Sequence, residues 1–409
     1  MLRSPNSMPK LLLLLTLTLA AHGQKPRARD LGVPFDGIPG PNNAITDVKG
    51  VEVGHTTLIS GSGKLVVGKG PVRTGVTAIH PRGKTSNDAV FAAWFTLNGN
   101  GEMTGTTWIE DSGFLDGPVM ITNTHSVGVV RDAVIAWKVK HSTADMEGYF
   151  WSLPVVAETW DGWLNDINGF HVHPEDAWHA LDVAHTGPVE EGNVGGGTGM
   201  VCNEFKGGIG TSSRVLDAKS GGYTVGVLVQ CNYGRRDQLR IAGVPVGKEI
   251  PERPAYGKDE TASSMWGQPP SAVQRPDGPL GARDTGSIIV IVATDAPLIP
   301  TQLKRIARRV SLGLGRDGSY SGDGSGDIFL AFSTANPGAV GSKGLHQLTM
   351  LPNDSLDPMF LATVQATEEA VVNAMVAAET MKGLDDHEVI ALPHDRLREA
   401  LKKYNRLEK

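Results

Sequence analysis

Cysteine is nearly absent: the 409 residues hold only Cys202 and Cys231. Each lies in a glycine-rich or strand-like apolar setting that suits a buried free thiol as well as a disulfide, so the pairing stays open. A strong charge of either sign is lacking too. With 38 Lys and Arg against 44 Asp and Glu, the formal net charge is −6, a balance that argues against nucleic acid as a partner. Long hydrophobic runs are missing as well. Residues 11–21 are apolar but too short to cross a bilayer comfortably, and no later stretch of about 20 apolar residues follows, so no membrane span is expected.

Cofactor signatures are incomplete. Gly195-Gly196-Gly197-Thr198-Gly199 lacks the Walker lysine and the full dinucleotide fingerprint, and reads as turn or pocket backbone. His171, His173, His179 and His185 are loosely spaced, with no cysteine or third spaced carboxylate to complete a metal pattern. They read as a solvated helix with scattered histidines. Asp323-Gly324-Ser325-Gly326-Asp327 is half a calcium loop without its closing glutamate. No cofactor is expected.

What is present begins with an export signal. Arg3 and Lys10 precede the apolar run, and Ala21-His22-Gly23 offers small residues at the minus-three and minus-one positions. Residues 1–23 therefore read as a signal peptide, and the mature protein as periplasmic or secreted. A 40% hydrophobic content is enough for a sizeable core, in one or two domains by size alone. The 51 glycines fit many tight turns. Strand patterns cover residues 50–55, 65–67, 72–79, 89–97 and 223–229, with turn residues at short intervals. Helical spacing follows Val129, starts at Pro300 and runs to Gly313, runs from Asp357 to Gly383, and resumes after Pro393. Residues 247–286, rich in proline and without periodicity, read as a linker.

Directly after that linker, Thr285-Gly286-Ser287 enters the run Ile288-Ile289-Val290-Ile291-Val292. No position alternates to polar, which predicts a strand covered on both faces. Taken alone, Gly-Ser is a turn entering a core strand. It also permits chain scission, because Gly286 has no side chain to block attack of the Ser287 hydroxyl on its carbonyl. A released Ser287 would carry an α-amine of pKa ~7.7–8.0, a base near neutral pH beside its own hydroxyl. Locally, Glu158 reads as a surface or capping acid where an apolar run ends. Asn232 reads as a turn former, Ser325 and Asp327 as part of a glycine-rich hairpin, and His125 as structural.

The stretch TGSIIVIVATDAPLIPTQLKRIARR, followed by SGDIFLAFSTAN, closely resembles the L-aminopeptidase/D-esterase family of self-processing β-aminopeptidases. NAITDVKGVEVGH, TNTHSVG, WSLPVVAETWDGWLNDING, GNVGGGTGM with FKGGIGTSSR, and GVLVQCNYG carry the same resemblance in family order. It implies an α/β fold, a four-layer αββα sandwich in one domain. A long chain 24–286 and a short chain 287–409 would arise by cleavage between Gly286 and Ser287. By resemblance Ser287 is the nucleophile, Asn232 the oxyanion donor, Ser325 and Asp327 a supporting network, and Glu158 the anchor for the substrate's amino group. Family members tend to carry tyrosine where Trp160 stands, so a phenol is missing from that part of the substrate site. Some relatives have glutamate where Asp327 stands. The implied substrates are short peptides and amino acid amides or esters, with β-amino acid or D-residue substrates included, and the implied assembly is a homotetramer of processed two-chain protomers. Two alternatives share the fold: an acyltransferase of the ornithine acetyltransferase type, which uses threonine where Ser287 stands, and a non-catalytic exported binding protein.

Overall fold

A computed structural model describes residues 25–142, 150–256, 286–341 and 344–408. The expected leader, and residues 257–285 of the expected linker, lie outside the described residues. Two sheets carry the architecture. The first has four strands, β1 (Glu52–Ser60), β2 (Val72–His80), β5 (Val119–Asn123) and β6 (Val155–Thr159), in that order. The second has six: β4 (Phe114–Leu115), β3 (Val90–Thr96), β12 (Gly326–Ser333), β11 (Ser287–Thr294), β10 (Thr224–Asn232) and β9 (Gly208–Val215). Most pairs are antiparallel, as the short turn spacing predicts, but β5 with β6 and β11 with β12 run parallel. Two short ribbons, β7 (Val201–Cys202) with β8 (Phe205–Lys206) and β13 (Met381–Lys382) with β14 (Glu388–Val389), stand outside the sheets.

Side-chain alternation explains the unbroken apolar run after Ser287. Ile289, Ile291 and Ala293 point between the sheets, where they meet Val53, Ile79, Ile121, Leu228 and Phe332. Ile288, Val290 and Val292 point the other way, onto α5 (Pro300–Arg316) and α6 (Asp357–Val376), against Ile306, Val310, Val371 and Met375. The outer face of the first sheet is covered by α2 (Val127–His141) and α3 (Pro174–Asp182), through Val130, Val134, Ala177 and Leu181 on Val76, Ala78 and Met120. The layer order is helix, sheet, sheet, helix, the expected αββα sandwich. Smaller helices α1 (Thr106–Ser112), α4 (Val246–Glu249) and α7 (His394–Lys403) lie at its margins.

Three local expectations change, and one open question closes. Residues 65–67 form no strand: a bridge from Val66 to Gly70 closes a turn in which Gly68 and Gly70 have positive φ, leaving Val66 and Val67 exposed. Gly313 does not end α5, which continues to Arg316. Instead it lets α6 approach, since a Cβ there would sit 2.6 Å from the Thr367 Cβ. Helix α6 stops at Val376, short of Gly383. Cys202 and Cys231 are joined, with Cα atoms 5.5 Å apart, so the end of β10 is tied to β7.

Close packing of α6 on β9 also depends on a missing side chain. A Cβ on Gly210 would collide with the Ala370 carbonyl and lie 2.6 Å from the Ala374 nitrogen. Gly210→Ala is therefore expected to destabilise the protein by roughly 1–3 kcal/mol through overpacking, read as a lowered Tm by calorimetry. An unchanged Tm would contradict this packing.

Candidate active site

The register of the second sheet assembles the site. Ser287 opens β11 opposite Asn232, the last residue of β10, and beside Gly326, the first residue of β12. By alternation from Ile289 and Leu228, both Ser287 and Asn232 face the gap between the sheets. The Gly286 carbonyl accepts the Gly326 N–H at 3.1 Å. A side chain on Gly286 would collide with the Asn232 carbonyl and the Tyr233 Cα, and one on Gly326 with the Asn100 carbonyl. Glycine is thus required on both sides of Ser287 by packing as well as for access.

Asn232 is almost wholly buried, and its amide is oriented by two bonds. Oδ1 accepts the Val201 N–H at 2.8 Å, and Nδ2 donates to the Trp160 carbonyl at 2.9 Å. A backbone donor on one edge and a backbone acceptor on the other define which edge is which. Ser325, also buried, donates to Asp327 Oδ1 at 2.6 Å. Asp327 pairs with Ile288 in register and so shares its helix-facing side of the sheet. Ser325 immediately precedes Gly326, the residue of β12 that pairs with Ser287.

Glu158 comes from the first sheet, at the end of β6, with 3% of its surface exposed. Oε1 accepts the Glu102 N–H at 2.9 Å, and Oε2 accepts the Thr124 hydroxyl. Burial pushes its pKa up, and these two donors pull against that shift. Gly101 links the two sheets here: a Cβ on it would lie 3.3 Å from Glu158 Oε1 and 3.2 Å from the Gly326 Cα. The carboxylate therefore stands across Gly101 from the strand pair that holds Ser287. Trp160 offers its carbonyl to Asn232, while its indole packs on Gly162.

The other sequence features separate from this cluster. His171 meets Asp166 at 2.9 Å, His179 contacts Thr56, His185 contacts the Thr186 carbonyl, and His173 is exposed just before α3. Only His179 lies within that helix, so the expectation of one helix bearing all four is corrected. Among the described residues no three His, Cys, Asp or Glu side chains come together as a metal set. The turn Gly195–Gly197 is buried against β1 and β2, with Gly195 at φ +54 beside Thr77 and His55. Exposed His125 stacks on Phe170 with ring centres 6.2 Å apart. A cleft lined by His80, Arg82, Lys84 and Trp137 lies at the opposite end of the first sheet from Glu158.

Sequence reasoning passed over Gly101, Thr124, Asp161 and Lys206. Asp161 directly follows Trp160, is fully buried, and accepts the Asn165 amide at 3.0 Å. Desolvation pushes its pKa up to about 7, against hydrogen bonds from Thr74, Asn165 and Asn123.

A serine heads a central strand of two face-to-face sheets between helical layers, with an oriented amide in register with it and a buried carboxylate reaching across from the other sheet. Residues 43–389 match the model of Peptidase family S58, and the chain belongs to that family. It is 55% identical over 408 residues to the beta-peptidyl aminopeptidase BapA of Sphingosinicella microcystinivorans, covering 98% of each chain. Among solved structures it is similar to a Burkholderia sp. beta-aminopeptidase, at TM-score 0.80 and 46% identity, over 92% of this chain and 99% of that one. The L-aminopeptidase D-Ala-esterase/amidase of Ochrobactrum anthropi, described as a variant of the Ntn hydrolase fold, aligns at TM-score 0.81 and 49% identity over 94% of this chain and 100% of that one. The protein is an aminopeptidase. Among the described residues no helix is long and apolar enough to cross a membrane.

Asp161 gives a pH signature. Its folded pKa of about 7 exceeds the ordinary 3.8, so between these values the folded chain keeps a proton that the unfolded chain has lost. The resulting stability, on the order of 4 kcal/mol, is complete below the ordinary value and is lost as pH rises through about 7. The Tm of the parent is expected to fall relative to that of Asp161→Asn between pH 5 and pH 8. Parallel Tm profiles would contradict the shift.

Proposed function

We propose that this aminopeptidase is exported, cuts its own backbone between Gly286 and Ser287, and then removes N-terminal residues from short peptides, amides or esters with Ser287 as nucleophile. The observation that carries the reading is the position of Ser287, buried at the head of β11 and in register with Asn232. In the first reaction the Ser287 hydroxyl adds to the Gly286 carbonyl, the C–N bond breaks, and an ester joins the two residues. Water then hydrolyses the ester, leaving a carboxylate on Gly286 and a free amine on Ser287. The Gly326 N–H on the Gly286 carbonyl supports this step by drawing electron density from the carbon to be attacked.

In the second reaction Glu158 holds the substrate's ammonium and the Ser287 hydroxyl adds to the substrate carbonyl. The new α-amine takes the hydroxyl proton and returns it to the leaving group. Assigning the base to that amine is supported by the place of Asp327 beside Ile288, on the far side of the pleat. Asn232 Nδ2, with one hydrogen already on the Trp160 carbonyl, has its second to offer the oxyanion. Water releases the acyl group and restores the serine. Ser325 and Asp327 support the strand's leading end, and Trp160 lines the substrate site through its backbone. Substrates beginning with a β-amino acid are favoured, a preference supported by the named activity of the 55% identical relative. The working assembly is a homotetramer of two-chain protomers.

Ser287→Ala is expected to remain a single unbroken chain on a denaturing gel and to lack activity on an amino acid p-nitroanilide. Normal cutting in that variant would overturn the assignment. Glu158→Gln is expected to lower kcat/KM for substrates with a free amino group by roughly 30-fold, about 2 kcal/mol for a lost charged hydrogen bond, mainly through KM. Because burial raises the Glu158 pKa, KM in the parent should climb as pH falls, starting above the ordinary carboxylate range. A KM unaffected by both changes would exclude Glu158 as the amine anchor.

A further inference from the structure

Lys206, on the short strand β8, is wholly buried, and its hydrogen-bond partners are carbonyls: Met200 at 2.7 Å, Gly207 at 2.9 Å and Gly197 at 3.5 Å. Burial pushes the Lys206 pKa well down from the ordinary lysine value, and since each of these partners is a carbonyl the side chain acts here as a hydrogen-bond donor. Burying a polar side chain costs free energy whether or not it is charged, and an apolar residue of similar length would fill the same space at less cost. Two of the three carbonyls belong to the turn that leads into β7. The Met200 carbonyl is the telling one. It belongs to the same planar peptide unit as the Val201 N–H, which donates to Asn232 Oδ1 at 2.8 Å. The Met200 carbonyl also accepts the Gly207 N–H at 3.0 Å, and the Met200 sulphur accepts the Thr159 hydroxyl next to Glu158 at 2.9 Å.

One continuous line of bonds therefore runs from the buried Lys206 Nζ to the Met200 carbonyl, across that peptide to the Val201 N–H, and on to Asn232 Oδ1. A donor at one end of an amide polarises it and strengthens its N–H at the other end, an effect that accumulates along a chain in a low-dielectric interior. We infer that Lys206 is a positioning residue for the aminopeptidase reaction: through the Met200–Val201 peptide it fixes which edge of the Asn232 amide faces the site and strengthens the remaining Nδ2 hydrogen as a donor to the oxyanion. The inference rests on the proposed role of Asn232. Its effect belongs to the transition state, because the negative oxygen exists only there, so it acts on kcat rather than on KM.

The test compares Lys206→Met, Asn232→Ala and the double variant by self-cleavage rate on denaturing gels and by kcat and KM on an amino acid p-nitroanilide. Lys206→Met, which keeps the apolar stem, is expected to lower kcat and the cleavage rate about tenfold or more, with KM within about twofold of the parent. In the Asn232→Ala background, the same change is expected to cost less than about twofold further, because the residue it acts through is gone. Equal losses in the two backgrounds, or a loss confined to KM, would overturn the inference. If Lys206→Met does not fold, Lys206→Leu, which likewise carries no donor, is read by the same criteria. Asn232→Ala separates the two levels. If it cleaves itself and turns over normally, the underlying reading of the site fails. If it is impaired while Lys206→Met is not, only the inference about Lys206 fails.

Discussion

The pairing of three strand ends is the constraint on which the site depends. Ser287 stands between Asn232 and Gly326 because β11 runs antiparallel to one neighbour and parallel to the other, so the end of one strand meets the beginnings of two. Shifting β11 by a single residue would turn Ser287 to the helix side and move it off Asn232. The apolar pattern cannot prevent such a slip, since both faces of β11 are equally hydrophobic. Close contacts do so instead. Gly286 fits against Asn232 and Tyr233 only without a side chain, Gly326 fits against Asn100 in the same way, and the bond between Cys202 and Cys231 holds the end of β10 one residue from Asn232.

The sandwich then delivers what one sheet cannot. Glu158 arrives from the opposite sheet, with Gly101 filling the narrow space between its carboxylate and the start of β12. A buried acid is tolerated there because a backbone N–H and a hydroxyl meet its two oxygens. Similar compensation recurs nearby. Asp161 takes the Asn165 amide, Lys206 takes three carbonyls, and Ser325 donates to Asp327. The gap between the sheets is apolar through its centre and polar at the end where Ser287 lies, and the polar groups are oriented mainly by backbone.

Those features were unequally legible in the sequence. The Ile and Val run after Ser287 revealed a doubly covered strand because periodicity reports burial directly, and the layer order followed from family resemblance. Glu158 and Asn232 read locally as a capping acid and a turn residue, because local sequence does not tell which strand ends will converge. Val66 and Val67 have strand-like side chains, yet the flanking glycines turn the chain before a partner can form. Gly313 reads as a helix stop but serves helix contact, a distinction visible only once α6 lies beside it. Lys206 offers no signal at all: a lone lysine beside glycines is ordinarily a solvated one, and only its three carbonyl partners reveal a buried donor.

On the proposed reading one serine first severs the backbone before it and then serves as the catalytic hydroxyl. Intact-mass spectrometry of the purified protein, sampled as activity develops, tests it most directly. Two chains are expected, with masses that meet at the junction of residues 286 and 287 and with activity rising in proportion to the cleaved fraction. A fully active protein whose mass shows that junction unbroken would contradict it.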